Sequence, residues 1–155
     1  MAEAVPQAGN SLGGFDLLVN NAGVETASPV ADPEATDIRS MLEVGVLGTA
    51  LGLEHAFRAM RPGGAAGEGG SVVNIASVAA TIAFPDISLY SATKSGIDRL
   101  TGVAAAESGK LGYGVRVNGI YPGLPPRSWV TSRPPTARGS ACSNPPRKPR
   151  VPSSN

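Results

Sequence analysis

Residues 71–94 read SVVNIASVAATIAFPDISLYSATK. The first seven, SVVNIAS (71–77), form a β-branched apolar run of the length of a strand. From Tyr90 the chain runs YSATKSGIDRLTGVAAAESGKLG (90–112), a long helix with a glycine-marked end. Beyond it VRVNGIYPG (115–123) predicts another strand, stopped by Pro-Gly. On the other side, RPGGAAGEGG (61–70) is a glycine-rich breaker. Before that breaker, from Asp32 to about Met60, Ile38, Met41, Leu42, Val46, Thr49, Leu53 and Phe57 recur at spacings of 3 and 4, one broad apolar helix face. Earlier still, FDLLVNNAG (15–23) predicts a buried parallel strand ending in a turn. The order β-α-β-α-β predicts parallel strands joined by right-handed crossovers in an α/β layered fold. No internal repeat is visible.

The chain of 155 residues matches the roughly 150 residues of one domain. Its formal net charge of +1 argues against nucleic acid as a partner. That total conceals a seam. Residues 1–123 hold all 12 acidic residues and 7 basic ones, whereas residues 124–155 hold 6 basic residues, no acidic ones and 8 of the 14 prolines. The second segment has no apolar period, so it is expected to be a disordered, Pro/Arg/Ser-rich tail that follows a domain spanning 1–123. Its composition, drawn from GC-rich codons, also fits translation out of frame. The N-terminus has no basic and apolar leader pattern, and no apolar run approaches the roughly 18 residues of a membrane span. One cysteine, Cys142, excludes an internal disulfide, and one histidine, His55, leaves no metal cluster to build. The expectation is a soluble, cytoplasmic chain with no metal.

Candidate chemistry lies around the quoted stretch. Ser77 ends a strand, and Tyr90 and Lys94, four residues apart on a helix, share one face. An ammonium beside a phenol stabilises the phenolate and is expected to lower the tyrosine pKa from about 10 toward neutrality. Such a tyrosine exchanges a proton with a hydroxyl or carbonyl oxygen. A serine hydroxyl at the carboxyl edge of the sheet, where open α/β sheets bind ligands, can bond the same oxygen. The alternative for Tyr-x-x-x-Lys alone is an amphipathic surface pair. Asp98 and Arg99 are expected on a solvated helix face, His55 as a surface or packing residue, and Cys142 and Trp129 have no identifiable partner.

NNAG (20–23), Ser77 thirteen residues before Tyr90, Tyr90-Ser-Ala-Thr-Lys94 and VRVNGIYPG occur together in order. This combination resembles the short-chain dehydrogenase/reductase family over residues of about 15 to 123, and ESGKLGYGVRVNGIYPGL (107–124) is similar to members acting on cyclic alcohols and dihydrodiols. The resemblance implies part of a Rossmann-like, doubly wound parallel sheet, its central β-α-β-α-β portion. It implies NAD or NADP and interconversion of an alcohol and a carbonyl, with a small-molecule alcohol or ketone as substrate. Tyr90 would be the general acid/base, Ser77 would orient the substrate oxygen, and Lys94 would bind the nicotinamide ribose and tune Tyr90. Asn20, Ala22 and Gly23 would lie toward the adenosine side, and Pro122 and Gly123 would face the nicotinamide. The resemblance also implies a homo-oligomer paired through the helices of about 32–60 and 90–110.

Four features depart from the family pattern. Nothing before residue 15 resembles a strand, a Gly-x-x-x-Gly-x-Gly turn and a helix; GNSLGG (9–14) precedes a strand, and MAEAVPQAGNSLGG resembles the end of the helix that leads into NNAG. The residue that separates NAD from NADP belongs to that unmatched part. Gly45, within EVGVLGTALG (43–52), stands where the family's asparagine is expected, so the relay to the lysine is expected to be weakened. After Gly123 the match stops, short of the threonine and the substrate-covering helix. A chain of this kind is expected to bind NAD(P) weakly or not at all. An inactive fragment, a faulty gene product and a non-catalytic partner of an intact relative stay open beside the enzyme.

Overall fold

The computed structural model describes residues 3–123. The proposed boundary at 123/124 and the basic, proline-rich segment that follows it lie outside the described residues. Within them the order is α1 (Ala4–Leu12), β1 (Leu17–Asn20), α2 (Ala35–Met41), a π-helical segment (Leu42–Leu47), α3 (Gly48–Met60), β2 (Gly70–Ile75), a 3₁₀ turn (Val78–Ala80), α4 (Ser88–Leu111) and β3 (Val115–Ile120). The three strands are parallel in the order β1-β2-β3, with Leu18 opposite Val72 and Val72 opposite Val117. The fold is the α/β parallel-sheet arrangement expected from the pattern.

One face of the sheet carries the core. Leu53, Ala56 and Met60 of α3 and Ala104 of α4 pack on Val72, Val115 and Val117, with Phe15, Leu18, Phe57, Leu100 and Tyr113 half-buried around them. A chain of amides and hydroxyls, half-buried at Asn20 and buried at Asn74 and Thr101, crosses this layer. Asn20 Nδ2 donates to Asn74 Oδ1 at 2.8 Å, Asn74 Nδ2 donates to Thr101 Oγ1 at 2.9 Å, and Thr101 donates on to the Ile97 carbonyl at 2.7 Å. None of its fully buried side-chain N and O atoms lacks a partner, which is the condition for tolerating such groups in a core. At the far end of α4, Ser108 Oγ donates to the Val115 carbonyl at 2.6 Å and accepts from its N–H at 3.2 Å, while Gly112 takes the left-handed conformation (φ 67°) that closes the helix.

The other face of β1 is open. Leu17 is 56% and Val19 49% exposed, and Ile120 of β3 is 51% exposed. The strand at 15–23, expected to be buried, is therefore covered on one side only: both α3 and α4 lie on the Val72 side. The helix expected from Asp32 to Met60 begins at Ala35 and contains a π segment. A π turn adds a residue and shifts the face, so Leu42, placed by its spacing among the buried residues, is 46% exposed and Gly45 is buried instead. Residues 4–12 form a helix closed by Gly13 (φ 76°), as expected of a helix leading into the NNAG strand.

Candidate active site

The C-terminal ends of β2 and β3 and the start of α4 converge on one corner. Past the strands, Ala76 N–H donates to the Ile120 carbonyl at 2.8 Å and Val78 N–H to the Pro122 carbonyl at 3.1 Å. Ser77 lies between these two ties, so its position is set by both strands. Its Oγ accepts from Ala79 N–H at 3.1 Å, which caps the 3₁₀ turn. The hydroxyl proton remains free to donate elsewhere.

Lys94 is buried, and its Nζ donates to the Ile75 carbonyl at 2.7 Å. The same ammonium stands 5.6 Å from the centroid of the Tyr90 ring, one helical turn earlier. Gly23 completes the approach: a Cβ there would sit 3.7 Å from Nζ. The turn after β1, the end of β2 and the first turns of α4 thus meet at Lys94.

The electrostatics differ from the expectation for Tyr90. Its pKa lies above 10.0: burial raises it, the Ser77 hydroxyl lowers it by hydrogen bonding, and the charge of Glu25 raises it. Lys94 lies below 10.5, because burial outweighs the opposing pull of Glu25. The expected lowering of Tyr90 is corrected, and the physical reason is desolvation. Lys94 directs its charge at a backbone carbonyl, and the partly buried phenol loses more by ionising than it gains.

The other sequence-selected residues divide. Asn20 turns its side chain into the core, where it bonds Asn74 and lies against α3; a Cβ on Gly52 would come within 2.2 Å of its Oδ1. Asn20 and Ala22 also border a cavity of about 330 Å³ shared with Leu18, Val19, Asn21, Val44, Gly48 and Thr49. Pro122 is tied through its carbonyl to Val78, and Gly123 follows it at the exposed end of β3. Asp98, expected on a solvated face, is half-buried and accepts a hydrogen bond from the Tyr121 hydroxyl, which fastens the Pro-Gly turn to α4. Gly45 packs against α4 so closely that a Cβ would meet Thr93 Cγ2 at 2.4 Å. Two participants escaped the sequence reading. The Ile75 carbonyl is a backbone group, and Glu25 has no motif or spacing to announce it.

A family model for short chain dehydrogenases matches residues 1–128. The chain belongs to the short-chain dehydrogenase family. It is 37% identical over 120 residues to the trans-4-hydroxycyclohexanecarboxylate dehydrogenase of Sinomonas cyclohexanicum, covering 77% of this chain and 44% of that protein. It is 36% identical over 121 residues to the L-2,3-butanediol dehydrogenase of Corynebacterium glutamicum, covering 78% and 45%. Among solved structures, a gluconate 5-dehydrogenase from Burkholderia cenocepacia in complex with NADP and tartrate aligns with a TM-score of 0.70 at 31% identity, over 79% of this chain and 46% of that one. The chain spans less than half the length of these relatives. Among the described residues, no helix is long and apolar enough to cross a membrane.

Proposed function

We propose that this chain carries the catalytic corner of an NAD(P)-dependent oxidoreductase that interconverts a small alcohol and its carbonyl compound in the cytoplasm. The observation that carries this reading is the convergence of Ser77, Tyr90 and Lys94 at the carboxyl edge of the sheet. The residues present fit the nicotinamide half of the cofactor. Lys94 would hold the nicotinamide ribose, Pro122 and Gly123 would face the ring, and Asn20, Ala22 and Gly23 would approach the adenosine side beside the 330 Å³ cavity. The nearness of Gly23 to Lys94, a Cβ on it standing 3.7 Å from Nζ, supports this placement. When bound, the cofactor supplies or removes the hydride.

The protein's own part is proton transfer. In carbonyl reduction the Tyr90 phenol donates its proton to the substrate oxygen, and the Ser77 hydroxyl donates a hydrogen bond to the same atom. A raised Tyr90 pKa keeps the phenol protonated at neutral pH and leaves phenolate scarce. On that ground Tyr90 stands ready as a proton donor at neutral pH, and its capacity to act as a base grows as pH rises. Position 45 offers no side chain to the relay. The exposed Leu47 and Val103, on the two long helices, support pairing of copies through those helices.

The test is turnover by the 155-residue chain with NAD or NADP and small secondary alcohols or their ketones. Tyr90→Phe is expected to cost about 10²–10⁴-fold, the range of general acid–base catalysis. Turnover that survives this substitution overturns the assignment. A second reading, a non-catalytic partner of an intact relative, is favoured by the uncovered face bearing Leu17, Val19 and Ile120. Weak or absent NAD(P) binding in calorimetry, together with co-elution with a full-length relative, is its signature.

A further inference from the structure

We propose that Tyr121 and Asp98 are a positioning pair for this corner: their hydrogen bond locks the end of β3 onto α4 and so fixes the backbone that carries Ser77 and Pro122. This rests on the alcohol–carbonyl reading above and adds to it two residues that touch none of the reacting atoms. The arrangement starts from spacing. Tyr90, Lys94 and Asp98 follow one another at intervals of four on α4, so their side chains rise along one side of the helix. The Lys94 ammonium takes the end of β2, donating to the Ile75 carbonyl at 2.7 Å. One turn further on, the Asp98 carboxylate takes the end of β3 by accepting from the Tyr121 hydroxyl.

The two strand ends are also tied to each other, Ala76 N–H to the Ile120 carbonyl at 2.8 Å and Val78 N–H to the Pro122 carbonyl at 3.1 Å. A closed ring results: Lys94 to Ile75, along the chain to Ala76, across to Ile120, on to Tyr121, across to Asp98, and back one turn of α4. Ser77 and Pro122 are the next residues along the two strands, and Val78 joins them, so the ring sets where both stand. Gly119 lets Tyr121 close it. Residues 119 and 121 face the same side of an extended chain, and a Cβ on Gly119 would stand 3.1 Å from Tyr121 Oη and 3.2 Å from Cε2. With that side bare, the ring lies back over β3 toward α4. A hydroxyl bonded to an ionised carboxylate makes a stronger bond than a neutral pair, which suits a tie at an exposed place. At the opposite end of β3, Ser108 links α4 to Val115, so the strand is held to the helix at both ends.

The test joins amide hydrogen exchange by NMR to turnover, both on the 155-residue chain. Tyr121→Phe keeps the ring and removes the donor, Asp98→Ala removes the acceptor, and Asp98→Asn keeps a neutral acceptor. In the first two, protection of the Ala76 and Val78 amides is expected to fall about tenfold, while that of Val72, buried in the middle of the sheet, holds. Asp98→Asn is expected to keep most of the protection. With NAD or NADP and small secondary alcohols, kcat is expected to fall about tenfold or more in the same two variants, with KM moving by no more than about twofold. The double variant Tyr121→Phe, Asp98→Ala should lose no more than either single one, because both remove the same bond. A fall in protection that includes Val72 equally marks general destabilisation and overturns the proposal. Unchanged protection at Val78, or a selective loss there with unchanged kcat, also overturns it and leaves the alcohol reading standing. A selective loss at Val78 in a chain whose wild type turns over none of these alcohols overturns the alcohol reading, and the catalytic role of the pair with it, while the tie itself stands.

Discussion

Tyr90 illustrates how one residue's chemistry depends on its surroundings. Its spacing from Lys94 places both on one helix face, yet proximity in sequence does not decide the sign of the pKa shift. Burial and Glu25 push the phenol up, and only the Ser77 hydroxyl pulls it down. Because Glu25 raises the value, Glu25→Gln should lower it; because Ser77 lowers it, Ser77→Ala should raise it. Ultraviolet titration of tyrosinate, with Tyr90→Phe to identify the signal, measures both directions. A Tyr90 that titrates below 10 in wild type would contradict the balance described here. Tyr121 should also titrate high, since its hydroxyl donates to Asp98, and Asp98→Asn should bring it down.

At the scale of elements, two helix glycines mark where helices press on their neighbours. Gly52 of α3 lies over the Asn20 amide, and Gly45 of the π segment lies over Thr93 of α4. In an exposed helix, replacing glycine by alanine gains about 1 kcal/mol. Here Gly52→Ala should reverse that sign and cost about 2–4 kcal/mol, from overpacking and a broken buried hydrogen bond to Asn74. Gly45→Ala should also destabilise, and Thr93→Ser, which removes the obstructing methyl, should recover part of the loss. Denaturant midpoints of the single and double variants decide both points. The π segment belongs to the same account. Apolar spacing of 3 and 4 predicts a helix over 32–60, but the π segment packs against α4, a contact that spacing cannot register.

For the molecule as a whole, the sheet is the dominant asymmetry. One face is packed under α3 and α4, and the other presents Leu17, Val19 and Ile120 to solvent. Exposed apolar surface beside an open strand edge promotes association. A Leu17→Lys, Val19→Thr double variant should reduce concentration-dependent light scattering. Because both side chains are already about half exposed, each substitution should alter stability by no more than about 0.5 kcal/mol. A large loss of stability would mean that this face is covered in solution.

The order of elements, the parallel sheet and the proposed corner of Ser77, Tyr90 and Lys94 are all legible in the chain's own pattern. Strand and helix periods, glycine stops and the joint spacing of NNAG, Ser77, Tyr90, Lys94 and Pro-Gly are local features of the chain, and local features are readable without coordinates. Which sheet face is covered, that Asn20 spends its amide on the core, that Asp98 holds Tyr121 and that the charge of Glu25 reaches Tyr90 emerge only in three dimensions. Each of these joins residues brought together by the crossovers between strands. Burial, close approach and electric field depend on those neighbours across space, and neither residue type nor spacing along the chain records them.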